Sequence, residues 1–210
     1  MRQRIVFGFG VLALAIIWFG PLPALAQTSF AAHMTMHMGV VAIAAPLLAL
    51  GVAGGKFDPV LRAPSLFPPI PLSVLELVIV WVWHAPALHH AARNGLAGFI
   101  AEQGLFLVAG LAVWLSAFGG GGDRQQERTG AGIAALLLTS MHMTLLGALL
   151  ALTPRALYVH DAHHSAVSAL DDQHLGGAIM LLVGGVSYLL GGLWLTVRLF
   201  RARGTREVTA

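Results

Sequence analysis

The chain contains no cysteine, and only 10% of its 210 residues are charged. Without thiols it cannot be a CxxC-type metal chaperone, and on an oxidising face of a membrane it has no thiol pair at risk of disulfide formation. With so few charges it cannot cover a soluble core: 57% of the residues are hydrophobic and the mean hydropathy is +0.79, so lipid is its solvent. No hydrophilic stretch is long enough to form a soluble domain.

What is present is a series of apolar stretches, each close to the roughly 20 residues that a helix needs to cross a hydrocarbon core of about 30 Å. They run from Ile5 to Ala26, Ala31 to Val52, Pro71 to His90, Gly95 to Phe118, Gly130 to Leu152 and His174 to Phe200. This predicts an all-α polytopic transmembrane bundle of about six helices. The first stretch follows Arg2 and Arg4 and ends in Ala24-Leu25-Ala26 before Gln27, so residues 1–26 read either as a membrane helix or as a secretory signal with a cleavage site. Cleavage leaves five helices in the membrane domain, residues 27–202, before a cytoplasmic tail at 203–210.

Orientation follows from the basic residues. Arg2, Arg4, Lys56, Arg62, Arg124, Arg128, Arg198, Arg201, Arg203 and Arg206 fall in alternate connections, leaving only Arg93 and Arg155 on the other side. The positive-inside rule therefore puts both termini of the uncleaved chain in the cytoplasm of a bacterial inner membrane. The isoelectric point of about 10.2 reflects this topology, and nucleic acid is not expected as a partner.

The histidines then gather on the outer, periplasmic side. His33 and His37 open the second helix, His84, His89 and His90 close the third, and His160, His163, His164 and His174 lie in or beside the last outer loop. His142 lies within the fifth helix, roughly ten residues or about 15 Å from its outer end. In His33-Met34-Thr35-Met36-His37-Met38, residues His33, Met36 and His37 share one helix face, and Met141-His142-Met143 again brackets imidazole with thioether. Imidazole and thioether suit copper, Cu(I) above all, whereas Mg²⁺ or Ca²⁺ would call for oxygen ligands. Methionine also packs apolar helices, and histidine at a helix end can be satisfied by water, so packing and a solvated loop are the plainer alternatives. The candidate copper ligands are His33, Met36, His37, Met38, His84 and His142.

Four polar positions support that set. Glu102, beside Gln103 inside the fourth helix, is costly to leave unpaired and calls for Arg93 or an outer histidine as partner. Asp172, Gln173 and His174 follow Asp171 at the start of the last helix, where acidic residues suit the helix N-terminus.

Other functions fit less well. His33-x-x-x-His37 has the histidine spacing of a zinc protease motif, but Met34 stands where the general base should be, so no enzyme is expected. A b-type haem would need axial ligands such as His37, His84 or His142, and haem is not the expected cofactor. A copper transporter is the other alternative, but helices two to six show no clear inverted repeat and their polar residues cluster on the outer side.

Taken in order, these motifs resemble the CtaG family of cytochrome c oxidase assembly factors, of the caa-type oxidase branch. His33-Met34 through His37-Met38 resembles the family's His-Met-x-x-His-Met signature, and Trp83-His84-Ala85-Pro86 its Trp-His-x-Pro element. Leu157-Tyr158 and Asp172-Gln173 with Gly176 are similar to its closing features, so the resemblance spans about residues 30 to 200. Phe99 and Gln103 flank Glu102 where the family carries a histidine pair, and the chain is shorter than many relatives. The resemblance implies a membrane factor that assists copper loading into cytochrome c oxidase subunits at the outer face.

Overall fold

The structure, a computed structural model, describes residues 1–122, 125–158 and 167–209, with side chains as far as residue 201. Among these residues every regular element is helical. The main helices are α1 (Arg2–Phe19), α2 (Phe30–Val52), α3 (Pro69–Trp83), α4 (Pro86–Arg93), α5 (Leu96–Phe118), α6 (Gln125–Leu152) and α7 (Ala169–Arg201). Five are long and apolar enough to cross a membrane, and α3 with α4 makes a sixth if the bent pair is one span. The all-α polytopic bundle expected from the sequence is the fold observed.

Helices α6 and α7 each begin five residues before the stretch read from the sequence, at Gln125 and Ala169, and two other boundaries differ more deeply. The first stretch does not continue to Ala26, because Gly20-Pro21 ends α1 and only one turn, Leu22–Leu25, follows. The third stretch does not run straight to His90. Pro86 has no N–H to offer the helix and drives Ala85 into an extended conformation (φ −64°, ψ 130°), so α4 leaves α3 at 74°.

The outer surface of the bundle is apolar, with Val74, Val78, Val108, Leu145, Leu149, Val186 and Leu189 all exposed, as a lipid-facing surface requires. The interior is where the polar side chains lie. Among the described residues Asp58, Ser73, Glu76, Glu102, Gln103, Thr139, Gln173 and five histidines are buried. At one end of the bundle Asp58 accepts from Gly54 N (2.7 Å), Val60 N (2.9 Å) and Gly120 N (2.9 Å), tying the end of α2 to the end of α5. Gly54 (φ 70°) and Gly120 (φ 88°) supply the left-handed backbone that brings their amides to this one carboxylate.

Asp172 and Gln173 organise the opposite end. Asp171 exchanges hydrogen bonds with Ser168 at the start of its own helix, as expected for a cap. Asp172 does not serve its own helix: it accepts from Ser29 Oγ (2.8 Å), Phe30 N (2.5 Å) and Ala31 N (3.3 Å), capping α2 from α7. Gln173 accepts from Leu157 N (2.6 Å) and donates to Leu150 O and Arg155 O, and His174 Nε2 donates to Thr153 O at 2.9 Å. These three residues hold the connection after α6 against the histidine-bearing start of α2.

Two short π-helical segments, Gly39–Ala44 in α2 and Met180–Gly184 in α7, shape the interior further. The first has a local cause in Pro46. Ala45 N bonds back to Val40 O, and the next donor in that register is missing because proline has none. The freed Val41 carbonyl accepts from Trp114 Nε1 (2.8 Å) and lies 3.3 Å from the Tyr188 hydroxyl, and Ala42 O accepts from Ser187 Oγ (2.6 Å).

Candidate metal centre

The bend after α3 creates the site. On a straight helix His84 and His89, five residues apart, would point about 140° from one another, since each residue turns the helix by about 100°. The turn at Pro86 brings α4 back over the start of α2, and His89 meets His33 with ring centroids 4.8 Å apart and edge to face. The ring of His84 lies 5.9 Å from that of His33 and 5.2 Å from that of His37. All four rings are buried.

One ligand atom each from His33, His89 and Glu102 lie within 4.8 Å of one another. Glu102 enters from α5, where Gln103 Nε2 donates to its Oε2 at 3.2 Å and Trp18 Nε1 of α1 in turn donates to Gln103 Oε1 at 3.4 Å. Its carboxylate also faces Arg93 Nη2 at 3.4 Å and His33 Nδ1 at 3.8 Å, so both partners foreseen for it, Arg93 and an outer histidine, lie beside it. Arg93 Nη2 donates to His33 Nδ1.

The neighbouring rings are set up as ligands. Val80 O can only accept, so His84 Nδ1, 2.6 Å away, carries the proton. The lone pair of the neutral ring is then at Nε2, which is buried without a partner. Both ring nitrogens of His37 and of His142 are also buried and unpartnered, as is Nε2 of His33, which carries that neutral ring's proton while Nδ1 accepts from Arg93. A buried polar atom without a partner costs about 1–3 kcal/mol, so an interior lined with bare imidazole nitrogens matches what an imidazole-binding metal ion requires.

An aromatic cover closes the cluster. Tyr158 stacks on Phe30 (4.1 Å between centroids, 12° between planes) and tilts against His89 at 4.6 Å. Its hydroxyl donates to His84 O at 2.5 Å, a carbonyl that the break before Pro86 leaves without a helical partner. Burial pushes this phenol well above its ordinary range, which keeps it a donor.

The residues proposed from the sequence are only partly assembled here. His33, His37, His84 and Glu102 come together. His142 is close enough to His37 to interact with it electrostatically, but stands outside the group of close ring contacts. Met36 is buried in the core. Met38 lies on the α7 side of its helix, where its sulfur and Met143 pack on Gly184, and Met34 likewise packs on Gly176. The loop histidines His160, His163 and His164 fall outside the described residues.

Sequence reasoning left His89 and Glu76 out. His89 was visible as an outer histidine, but only the bend turns it inward. Glu76 is buried in the middle of α3, where it accepts from Tyr188 Oη (2.6 Å) and Thr139 Oγ1 (3.2 Å), and Ser73 lies 2.8 Å from Thr139. A lone carboxylate within an apolar stretch was the signal for it.

No curated protein and no solved structure matches the chain. A family model does match, over residues 1–202, and the chain belongs to the family that it describes, the cytochrome c oxidase caa3 assembly factors.

Proposed function

We propose that this assembly factor carries copper, as Cu(I), in the buried cluster at His33, His89 and Glu102, with His37 and His84 alongside, and hands it to a cytochrome c oxidase subunit. Copper is cargo here, and no catalytic chemistry is assigned to the chain. The observation that carries the proposal is that three ligand atoms from α2, α4 and α5 converge within 4.8 Å in an interior that offers bare imidazole nitrogens. Membership of the oxidase assembly family supports the identity of the recipient. The histidine-rich end faces the periplasm of the bacterial inner membrane in this reading, supported by the ten Lys and Arg residues assigned to the opposite side.

The cluster departs from the ligand set read from the sequence in favouring nitrogen and one carboxylate over thioether. A three-coordinate imidazole and carboxylate site holds Cu(I) less tightly than a thiolate pair, which suits a donor that must release its ion by ligand exchange. The test is Cu(I) affinity of the detergent-purified protein, by competition with a chromophoric chelator, for wild type and for His33→Ala/His89→Ala. Near-stoichiometric binding that the double variant loses supports the proposal. Absent binding, or binding that the double variant keeps, refutes it.

A further inference from the structure

Arg93 holds the donor atoms that the ion would need. Its Nη2 donates to His33 Nδ1 and faces Glu102 Oε2 at 3.4 Å, while Nη1 donates to Ala26 O at 3.0 Å. The side chain is only 6% exposed. A guanidinium has donors and no acceptor, so the lone pair of neutral His33 is committed to Arg93. Binding of an ion to His33 must break that bond, whether the ion takes Nδ1 directly or takes Nε2 after a change of tautomer.

The charges are matched in the same way. Arg93 and Glu102 cancel each other in the buried site, so exchanging the guanidinium for a monovalent ion leaves the net charge unchanged. A divalent ion would leave an extra positive charge in a region of low dielectric, where uncompensated charge is expensive. Space for the displaced side chain lies next to it. A cavity of about 420 Å³ is lined by Arg93 together with Pro23, Gln27, Asn94, Gly95 and Phe99, and the amide oxygens of Gln27 and Asn94 can accept from a guanidinium.

We propose that Arg93 is a displaceable placeholder: it occupies the histidine and carboxylate donors when no ion is bound, and a monovalent soft ion takes its place one for one as the side chain turns into the adjacent cavity. This rests on the reading of the cluster as a metal site. It makes Arg93 a residue that sets both release and selectivity without being a ligand. An ion leaving for a partner is replaced at once by a built-in cation, so Glu102 is never left bare.

The test uses the full chain in detergent with Ag(I), a redox-inert monovalent probe, and the guanidinium reagent phenylglyoxal, with labelling read residue by residue by mass spectrometry. If the placeholder state holds about nine molecules in ten, saturating Ag(I) raises labelling of Arg93 about tenfold. Exposed Arg155 stays constant. Arg93→Leu, freed of the competitor and adding no soft ligand, binds Ag(I) about tenfold more tightly. Ag(I) binding that depends on His33 and His89 but leaves Arg93 protected overturns this proposal and leaves the metal site standing, a result that needs no Arg93 variant and so survives if Arg93→Leu does not fold. Loss of Ag(I) binding dependent on His33 and His89 overturns both. Zn(II) that opens Arg93 as readily as Ag(I) overturns the monovalent preference.

Discussion

Asp172→Ala tests whether α7 builds the entrance to the histidine cluster. The wild-type carboxylate accepts from the Ser29 hydroxyl and from the amides of Phe30 and Ala31, the residues that lead directly into His33. Loss of a helix cap costs about 1 kcal/mol, and a hydrogen bond to a charged acceptor is worth about 1.5–3 kcal/mol. The Ser29 side chain still caps Ala32 N at 3.1 Å, and water can reach the half-buried carboxylate position, so the three bonds do not add in full. The expected loss is about 2–4 kcal/mol, or about 5–15 °C in the thermal midpoint of a chain of this size. Tryptophan fluorescence of the detergent-solubilised protein during a thermal ramp reads it. Asp172→Asn, which keeps one accepting oxygen, should lose about half as much. Asp171→Ala is the control, since Asp171 is exposed and, among the described residues, bonds to Ser168 at the start of its own helix. It should shift the midpoint by no more than about 3 °C. Equal losses in Asp171→Ala and Asp172→Ala would refute the reasoning, because the effect would then belong to the start of α7 and not to the bond between helices.

Two further substitutions probe how the site is held. At the crossing of α6 and α7, a Cβ on Gly177 would meet Ala151 N at 2.5 Å and Gly147 O at 2.7 Å, so Gly177→Leu must push these helices out of backbone contact. It should lower the yield of folded, monodisperse protein in size-exclusion chromatography, while Leu189→Ala, on the exposed face of the same helix, leaves it unchanged. Tyr158→Phe keeps the ring on Phe30 but removes the donor to His84 O, with an expected cost of about 1–3 kcal/mol in thermal unfolding. A variant as stable as wild type would show that water satisfies that carbonyl.

The apolar stretches could be read from the sequence because they depend on length and composition alone, whereas the bend at Pro86 decides whether the third of them counts as one span. The pairing demanded by Glu102 was also legible: a buried carboxylate must find a cation or donors, and Arg93 was one of the few candidates on its side. The ligand set was less so. The spacing of His33 and His37 fixes that they share a face, but not which neighbouring helix that face meets, and Met34 and Met38 share a different face that packs on the glycines of α7. His89 escaped because helical spacing assumes a straight helix, and Pro86 breaks one. The signal was present in Trp83-His84-Ala85-Pro86, since a proline two residues after a histidine marks where the following residues change direction.

The π segment in α2 shows why one helix can serve two different neighbours. An extra residue in a turn shifts the phase of everything beyond it by about 100°. Before the segment, α2 turns His33 and His37 towards α3, α4 and α5. After it, Leu48 and Gly51 face α1 so closely that a Cβ on Gly51 would meet Phe7 Cβ at 2.6 Å. A regular α-helix would have to sacrifice one of these interfaces. The irregular turn keeps both, and the carbonyls that it frees are answered by Trp114, Ser187 and Tyr188 from α5 and α7. Tyr188 also donates to Glu76 of α3, so four helices are bound to one another just below the histidine cluster. The backbone irregularity caused by Pro46 is therefore integral to how the site is positioned: it sets the rotation of the helix that presents His33 and His37, and the polar side chains that satisfy it fix the helices that present the other ligands.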